Sequence, residues 1–232
     1  MSRSTPRSGA GEATQDWVSR IGCCCRKVLP VDLLIVRHAR PTRHEVDGEH
    51  ETADPPLSEL GHQQAKRTAE YLRNEGVDHI VASTMRRARE TAMPLAEMLG
   101  LEIELIDDLK ESDHKSKAYI PVEEMDADGA EVAEILEGDI HEKLFSDGFD
   151  AFEERVVGAF DYVIESNRSK TVVAFCHGMT TMVYLRSILK FSDPLAMIVD
   201  YCGITRVRAA FVGIRSVRSI NETDHVRDLI DW

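Results

Sequence analysis

Three apolar segments of this chain each end near side chains suited to binding a phosphate group. Arg37 and His38 follow the first segment, Arg87 lies shortly after the second, and His177 follows the third. In an open α/β sheet, ligands bind beyond the carboxyl ends of the parallel strands, where loops and helix N-termini converge. The pattern therefore predicts one anion pocket built from residues that are distant in sequence.

His38 is the candidate nucleophile of this pocket. A neutral imidazole can attack phosphorus when one ring nitrogen is unprotonated and the other is held by a backbone acceptor. Arg37 and Arg87 would bind the non-bridging oxygens with permanently charged, planar groups, and His177 would donate to the same oxygens during transfer. Because such groups balance the charge on the transferred phosphoryl group, the sequence predicts phosphoryl transfer without a metal.

Glu111 is the candidate general acid that protonates the departing alcohol. It follows Asp107 and Asp108, just after an expected edge strand. A carboxyl group donates a proton at neutral pH only if burial or neighbouring negative charge raises its pKa. We expect both aspartates and the bound phosphate to raise the pKa of Glu111.

Each of these residues also has a structural interpretation. An isolated Arg-His pair is usually a surface pair, a His-Gly pair is an ordinary turn at the end of a strand, and the arginines around Arg87 suit a solvated helix face. Glu111 is one acid among many in an acidic stretch. Complementary groups at three strand-to-helix junctions favour the catalytic interpretation. The remaining histidines are expected to be structural or exposed: His44, His50, His62, His79, His114, His141 and His225.

Apolar strand patterns alternate with helical patterns through most of the chain, which predicts an α/β fold. The expected architecture is a three-layer α/β/α sandwich around a mostly parallel sheet. The predicted strands are 31–36, 77–83, 101–106 at an edge, 171–176, and a closing pair at 205–212 and 214–220. Helices are expected after Ser58, from Ala88, from Phe149 and from Thr180, and Pro94 is expected to kink or restart the second one.

The chain divides into an N-terminal tail and one domain. Residues 1–29 are rich in Ser, Arg, Gly and Thr, which predicts a disordered tail, with organelle targeting, or acylation or metal binding at Cys23–Cys25, as alternatives. Residues 30–232 form the predicted catalytic domain. Within it, residues 112–148 are strongly acidic and predict a small cap insertion with one short helix and no strand.

Composition excludes several kinds of function. The 232 residues, 43% of them hydrophobic, suit one domain with a sizeable core. A formal net charge of -13 argues against non-specific binding to nucleic acid or to anionic membranes. No apolar run reaches the roughly 18 residues of a membrane-spanning helix. The 5 cysteines form no disulfide framework and predict a reducing, cytoplasmic compartment.

The motifs of the domain, in their order, resemble those of the histidine phosphatase superfamily, which has the phosphoglycerate mutase-like fold. The matching segments are Arg37-His38-Ala39, Asp54 to Ala65, Ser83 to Ala92, Leu109-Lys110-Glu111, Cys176-His177-Gly178 and Asn221 to His225. The resemblance implies that His38 is the phosphorylated nucleophile, held with Arg37, Arg87 and His177 around the phosphoryl group. It also implies that Glu111 is the acid and later the base for water, and that neither a metal nor an organic cofactor takes part.

Three positions depart from the family pattern. Ala39 replaces the usual Gly, which requires a backbone that avoids positive φ. Pro41 and His44 stand where many members have Ser or Thr and Asn. Together with Arg40 and Arg43, His44 is instead a candidate contact to the non-phosphate part of the substrate.

The predicted activity is hydrolysis of a phosphomonoester, either a small phosphorylated metabolite or a phosphoprotein. One alternative is phosphoglycerate mutase activity, which is weakened because Glu111 is followed by Ser112-Asp113-His114-Lys115 rather than by an Arg-x-Tyr-Gly-type segment. Another is a phosphate- or phosphoprotein-binding module with little turnover, motivated by the three departures. A homodimer is compatible with the sequence, but no pattern requires it.

Overall fold

The described part of the chain forms one main sheet and a two-stranded ribbon. The computed structural model describes residues 30–48, 51–119, 145–192, 197–210 and 213–230, so the tail at 1–29 and the predicted helix of the cap lie outside the described residues. In chain order the elements are β1 (Val31–Arg37), β2 (His44–Glu45), α1 (Glu59–Leu72), β3 (His79–Ser83), α2 (Arg86–Leu99), β4 (Ile103–Ile106), β5 (Ala118–Tyr119), α3 (Phe149–Ser166), β6 (Thr171–Cys176), α4 (Gly178–Leu189), β7 (Ile204–Ala209) and β8 (Arg215–Glu222).

The strand order of the main sheet is β4-β3-β6-β1-β7-β8. The first four strands are parallel, whereas β7 pairs antiparallel with β1 and with β8. The inner strands are apolar because helices cover both of their faces. The predicted edge strand is β4, and the predicted closing pair is the antiparallel β7–β8 pair. Because β3, β6 and β1 are neighbours, their carboxyl ends meet at one place.

Alternate residues of β1 divide the core into two layers. Leu33 and Ile35 pack with the buried faces of α3 and α4. Leu34 and Val36 pack with those of α1 and α2. Since neighbouring residues of a strand point to opposite faces, helices lie on both sides of the sheet, and the predicted three-layer sandwich is confirmed.

The restart of α2 that was one of two predicted effects of Pro94 does not occur. The helix runs without restart from Arg86 to Leu99 although Pro94 lies inside it. Proline removes one backbone hydrogen bond, but Ala92, Leu95 and Ala96 around it are buried against the sheet. Packing of this face holds the helix together, because tertiary contacts routinely override local propensity.

The ribbon of β2 and β5 corrects two expectations. The sequence predicted a loop throughout 37–54 and no strand within 112–148, yet His44 pairs with Tyr119 and Glu45 with Ala118 in antiparallel register. Strands of two residues carry no periodicity that could reveal them in a sequence. None of the described helices combines the length and the apolar character needed to cross a membrane.

Candidate active site

The carboxyl ends of β1, β3 and β6 bring the predicted phosphate-binding residues together. His38 follows β1, and its backbone N–H donates to the carbonyl oxygen of Cys176 at 2.9 Å. His177 follows β6, and its ring centroid lies 5.1 Å from that of His38. Arg87, in the first turn of α2 after β3, donates from Nε to Nε2 of His38 at 3.2 Å. Adjacent strands therefore join residues up to about 140 positions apart into one site.

His38 is held as a neutral imidazole whose Nε2 lone pair accepts a hydrogen bond from Arg87. Nδ1 lies 2.8 Å from the carbonyl oxygen of Ala39, which only accepts hydrogen bonds, so Nδ1 carries the proton. Nε2 accepts from Arg87 and is unprotonated. Burial lowers the pKa of His38 well below its usual value, and the charges of Arg87 and Arg37 lower it further.

Ala39 fits the turn where the family usually has Gly. The residue is fully buried and does not adopt a positive φ. Its N–H donates to Oγ1 of Thr91 at 2.9 Å. The departure from the family pattern is thus accommodated by the backbone, and the carbonyl oxygen of Ala39 remains directed at His38.

The two candidate phosphate-binding arginines differ in burial. Arg87 is completely buried, and its Nη2 lies 3.3 Å from Oδ1 of Asp113. Its Nη1 is buried and has no hydrogen-bond partner among the residues that the structure describes. Arg37 is partly buried and donates from Nη1 to the carbonyl oxygen of Val199 at 2.6 Å. The solvated helix face suggested for the arginines of α2 consists of Arg86 and Arg89, which are exposed.

His177 is oriented by Ser83 at the end of β3. Nε2 of His177 lies 2.8 Å from Oγ of Ser83, which also accepts the N–H of Met85 at 3.3 Å. Because a hydroxyl group both donates and accepts, Ser83 can donate to Nε2 of a His177 ring that carries its proton on Nδ1. This Nδ1 is buried without a hydrogen-bond partner in the described residues. Burial lowers the pKa of His177 well below its usual value, so the ring donates as a neutral group.

Glu111 lies at the N-terminus of α4. Its Oε2 accepts the N–H of Met179 at 3.0 Å and its Oε1 accepts the N–H of Ser112 at 2.9 Å. Burial raises the pKa of Glu111, and the negative charge of Asp113 raises it further. These two effects favour the protonated form that a general acid needs.

The expectation that Asp107 and Asp108 raise the pKa of Glu111 is wrong, since neither is among the main causes of the shift. Asp107 instead pairs with Lys110 at 2.6 Å and accepts from Thr84 at 2.8 Å. Both aspartates lie in a 3₁₀ turn at Asp107–Leu109, and the acid that chiefly raises the pKa of Glu111 is Asp113. For the pKa of Glu111, Asp113 is thus more important than the two aspartates that precede Glu111 in the sequence.

Arg155 on α3 supports the backbone that carries Glu111. Its Nη1 donates to the carbonyl oxygens of Asp108 at 2.7 Å and Lys110 at 3.1 Å. Thr180 on α4 donates to the carbonyl oxygen of Lys110 at 3.4 Å. The loop before the candidate acid is therefore fixed to both helices on that side of the sheet.

The three candidate substrate contacts occupy different environments. Arg43 is exposed and pairs with Glu45 at 2.8 Å. Arg40 is partly buried, and its N–H donates to Oε1 of Gln64 at 2.9 Å. His44 lies directly opposite Tyr119 in the ribbon of β2 and β5. His44 thus lies beside Tyr119, whose ring centroid is 6.4 Å from that of His38.

Sequence reasoning missed four residues around His38. Ser83 and Asp113 lie close in sequence to predicted site residues. Their importance becomes visible only through the contacts of Ser83 with His177 and of Asp113 with Arg87. Tyr119 and Tyr201 stand with their ring centroids 6.4 and 5.6 Å from that of His38. Nothing in the spacing of these tyrosines indicated the site.

Other titratable residues serve the fold. His225 stacks on Tyr71 with 4.7 Å between ring centroids, and burial lowers its pKa to about 4. Cys176 and Cys202 are buried free thiols, and burial raises the pKa of each to about 12. Their environment is that of small core residues, as expected.

Comparison with known proteins defines the class of this molecule. Residues 33–222 match the model of the histidine phosphatase superfamily (branch 1). The chain therefore belongs to this superfamily, for which a phosphohistidine mechanism is typical. The predictions of the family, of the phosphoglycerate mutase-like α/β fold and of a histidine-type, metal-independent phosphatase are confirmed.

Individual relatives carry several names. The chain is 32% identical over 149 residues to Phosphoserine phosphatase 1 of Hydrogenobacter thermophilus, covering 63% of this chain and 71% of that protein. It is 26% identical over 211 residues to Bifunctional protein Rv2228c of Mycobacterium tuberculosis, covering 85% of this chain and 55% of that protein, so it spans about half of its length. The crystal structure of phosphoglycerate mutase from Bacillus anthracis superposes with a TM-score of 0.66 at 20% identity, covering 87% of this chain and 97% of that one.

Proposed function

We propose that this protein hydrolyses phosphomonoesters through a phosphohistidine formed on Nε2 of His38. In this proposal Arg37, Arg87 and His177 hold the phosphoryl group, and Glu111 acts first as acid and then as base. The substrate is a small phosphorylated metabolite or a phosphoprotein. The mechanism requires neither a metal nor an organic cofactor.

The first step transfers the phosphoryl group to the enzyme. Nε2 of His38 attacks phosphorus, the ester P–O bond breaks, and Glu111 gives its proton to the leaving alcohol oxygen. Nε of Arg87 donates to Nε2 of His38, so attack by Nε2 requires Arg87 to exchange this contact for a phosphoryl oxygen of the ester. The exchange exposes the Nε2 lone pair to the phosphorus atom.

The second step returns the enzyme to its starting state. The Glu111 carboxylate takes a proton from water, the oxygen attacks phosphorus, and the N–P bond breaks to release inorganic phosphate. His38 then has its lone pair on Nε2 again, with the Nδ1 proton still held by Ala39. The cations around the phosphoryl group stabilise the charge of both transition states.

One observation carries the proposal: two buried side-chain nitrogens at the His38 site have no hydrogen-bond partner in the described residues. They are Nη1 of Arg87 and Nδ1 of His177. A buried donor without a partner costs about 1–3 kcal/mol, so folded proteins retain few of them. A tetrahedral dianion beside Nε2 would accept from both donors, which explains why the chain keeps them.

The test is hydrolysis of para-nitrophenyl phosphate by the wild type, by His38→Ala and by His62→Ala, each with and without a chelator. His62 is exposed on α1 and is the matched control. We expect chelator-insensitive turnover in the wild type and in His62→Ala, and at least a roughly thousandfold loss in folded His38→Ala.

Three results would reject the proposal. Equal turnover in wild type and His38→Ala would remove the nucleophile. Absence of turnover in the wild type over a broad panel of esters, with phosphate still raising the Tm, would indicate the phosphate-binding module. Exchange of phosphate between positions of a sugar acid, faster than its release, would indicate a mutase.

A further inference from the structure

We propose that Tyr119 and Tyr201 bind the leaving group of the substrate and select an uncharged alcohol that carries further hydroxyl groups. The inference rests on the proposed function, because it concerns the alcohol side of the same pocket. Neither the sequence motifs nor the chemistry of phosphoryl transfer requires a tyrosine at position 119 or 201.

The two tyrosines meet above His38. Tyr119 comes from β5, and Tyr201 comes from the turn before β7. Their hydroxyl oxygens lie 3.4 Å apart, and both rings are within 6.4 Å of the His38 ring, measured between centroids. Two phenol groups from distant parts of the chain thus converge beside the proposed nucleophile.

Each ring rests on one of the phosphate-binding arginines. Cζ of Arg37 lies 4.0 Å from the ring centroid of Tyr201, and Cζ of Arg87 lies 4.7 Å from that of Tyr119. These cation–π contacts hold the guanidinium groups in position and occupy one face of each ring. The hydroxyl groups are then the polar atoms that the pair presents to an alcohol bound beside the phosphoryl group.

The charges around the pair disfavour an anionic leaving group. The side chain of Asp113, which is 34% exposed, pairs with Arg87, whose guanidinium group lies over the ring of Tyr119. Two cations of neighbouring segments are already bound to acids, since Arg43 pairs with Glu45 and Lys115 pairs with Asp147. Pairing with these acids reduces the attraction that Arg87, Arg43 and Lys115 exert on an anionic leaving group, which favours a neutral alcohol.

His44 adds a third polar side chain next to the two tyrosines. It lies directly opposite Tyr119 in the antiparallel ribbon, and side chains at directly opposed positions project from the same face. Two phenol hydroxyls and an imidazole supply both donors and acceptors. This combination suits a polyol or sugar alcohol, whose several hydroxyl groups also donate and accept.

The decisive comparison uses sn-glycerol 3-phosphate and propyl phosphate, which differ by two hydroxyl groups. We expect the wild type to prefer the glycerol ester in kcat/KM, and Tyr119→Phe and Tyr201→Phe each to reduce that preference roughly fivefold, the effect of one neutral hydrogen bond. Phenylalanine keeps the ring on the arginine, so folding and the phosphate pocket are preserved. Tyr162→Phe, at an exposed tyrosine of α3, should keep the wild-type preference.

The Kd values of sn-glycerol 3-phosphate and propyl phosphate are then compared in variants that also carry His38→Ala. In this background we expect no ester to be turned over, so binding is measured without hydrolysis. If the Phe variants keep the glycerol preference in Kd and in kcat/KM, the leaving-group assignment is wrong. O-phosphoserine or 3-phosphoglycerate exceeding the glycerol ester in kcat/KM would also overturn it. A binding preference that depends on the tyrosines without turnover in the wild type would support this assignment and reject the proposed hydrolysis.

Discussion

At the scale of single residues, His38 is prepared for attack by two contacts that fix its proton. The Ala39 carbonyl holds the proton on Nδ1, and Arg87 keeps the other nitrogen unprotonated. Both contacts come from positions that a strand end and a helix N-terminus fix within the fold. The nucleophile therefore needs no conformational change of its own, whereas Arg87 must change its partner when a phosphate binds.

Asp113 connects Arg87, the proposed phosphate-binding arginine, with Glu111, the proposed general acid. It pairs with Arg87, and its negative charge contributes to the raised pKa of Glu111. We expect Asp113→Asn to lower the pKa of Glu111. Because Glu111 must be protonated to act as acid, activity would then be lost at a lower pH, and the alkaline limb of the kcat/KM profile would move in the acidic direction.

The matched control for this profile is Asp108→Asn, since Asp108 also precedes Glu111 closely in sequence but does not appear among the charges that raise its pKa. Its alkaline limb should coincide with that of the wild type. An unchanged limb in Asp113→Asn, or an equal shift in the control, would show that Glu111 is not the group that titrates there.

At the scale of elements, the N-terminus of α1 fixes the loop that follows His38. Ser58, the N-cap of α1, accepts the N–H of Gly61 and donates its hydroxyl to the carbonyl oxygen of Arg40 at 2.9 Å. Gly61 lies so close to this loop that a Cβ atom would be 2.0 Å from the same carbonyl oxygen. The helix and the loop can approach only because position 61 has no side chain.

We expect Gly61→Ala to lower the free energy of unfolding by roughly 2 kcal/mol or more, because the methyl group must displace backbone rather than a flexible side chain. Gly158→Ala is the control, since it lies on the exposed side of α3 with no atom within 4 Å of the added Cβ. That change should stabilise the protein by about 0.5–1 kcal/mol through helix propensity. Urea unfolding gives the free energy of unfolding of both variants. Changes of equal size and sign would contradict the close approach of position 61 to the carbonyl oxygen of Arg40.

At the scale of the whole molecule, a strongly acidic protein surrounds a cationic pocket. The formal net charge of -13 repels a phosphate ester at long range, while Arg37 and Arg87 attract it only at close range. Salt screens the long-range field first, since the Debye length falls from about 30 Å at 0.01 M to about 8 Å at 0.15 M. The net charge of the protein thus slows the approach of the ester, whereas the two arginines favour its binding.

We therefore expect kcat/KM for a dianionic ester to rise about twofold or more between 0.01 and 0.15 M sodium chloride. The kcat value should change little, because the bound ester is sheltered within the pocket. Repeating the series with a second sodium salt controls for competition by chloride. A fall in kcat/KM with both salts would show that the arginines dominate the approach as well as the binding.

Much of this architecture was predictable from local patterns. Continuous apolar segments identified β1, β3 and β6 because strands buried on both faces leave no polar alternation. The groups at their carboxyl ends followed from the sheet's geometry, which is why His38, Arg87 and His177 were expected to meet. The family resemblance added the family, the fold and the enzyme class, and the comparisons confirm these three.

The rest depended on contacts between segments that no local pattern links. The ribbon of β2 and β5, the Tyr119–Tyr201 pair and the contact of Asp113 with Arg87 each join distant or irregular segments, and the continuity of α2 through Pro94 depends on packing against the sheet. Sequence alone determined which chemical groups the strands deliver to the pocket, because periodicity and strand ends are local properties. Tertiary structure alone decided which neighbours set their protonation and surround the leaving group, because those neighbours are brought close only by the folded chain.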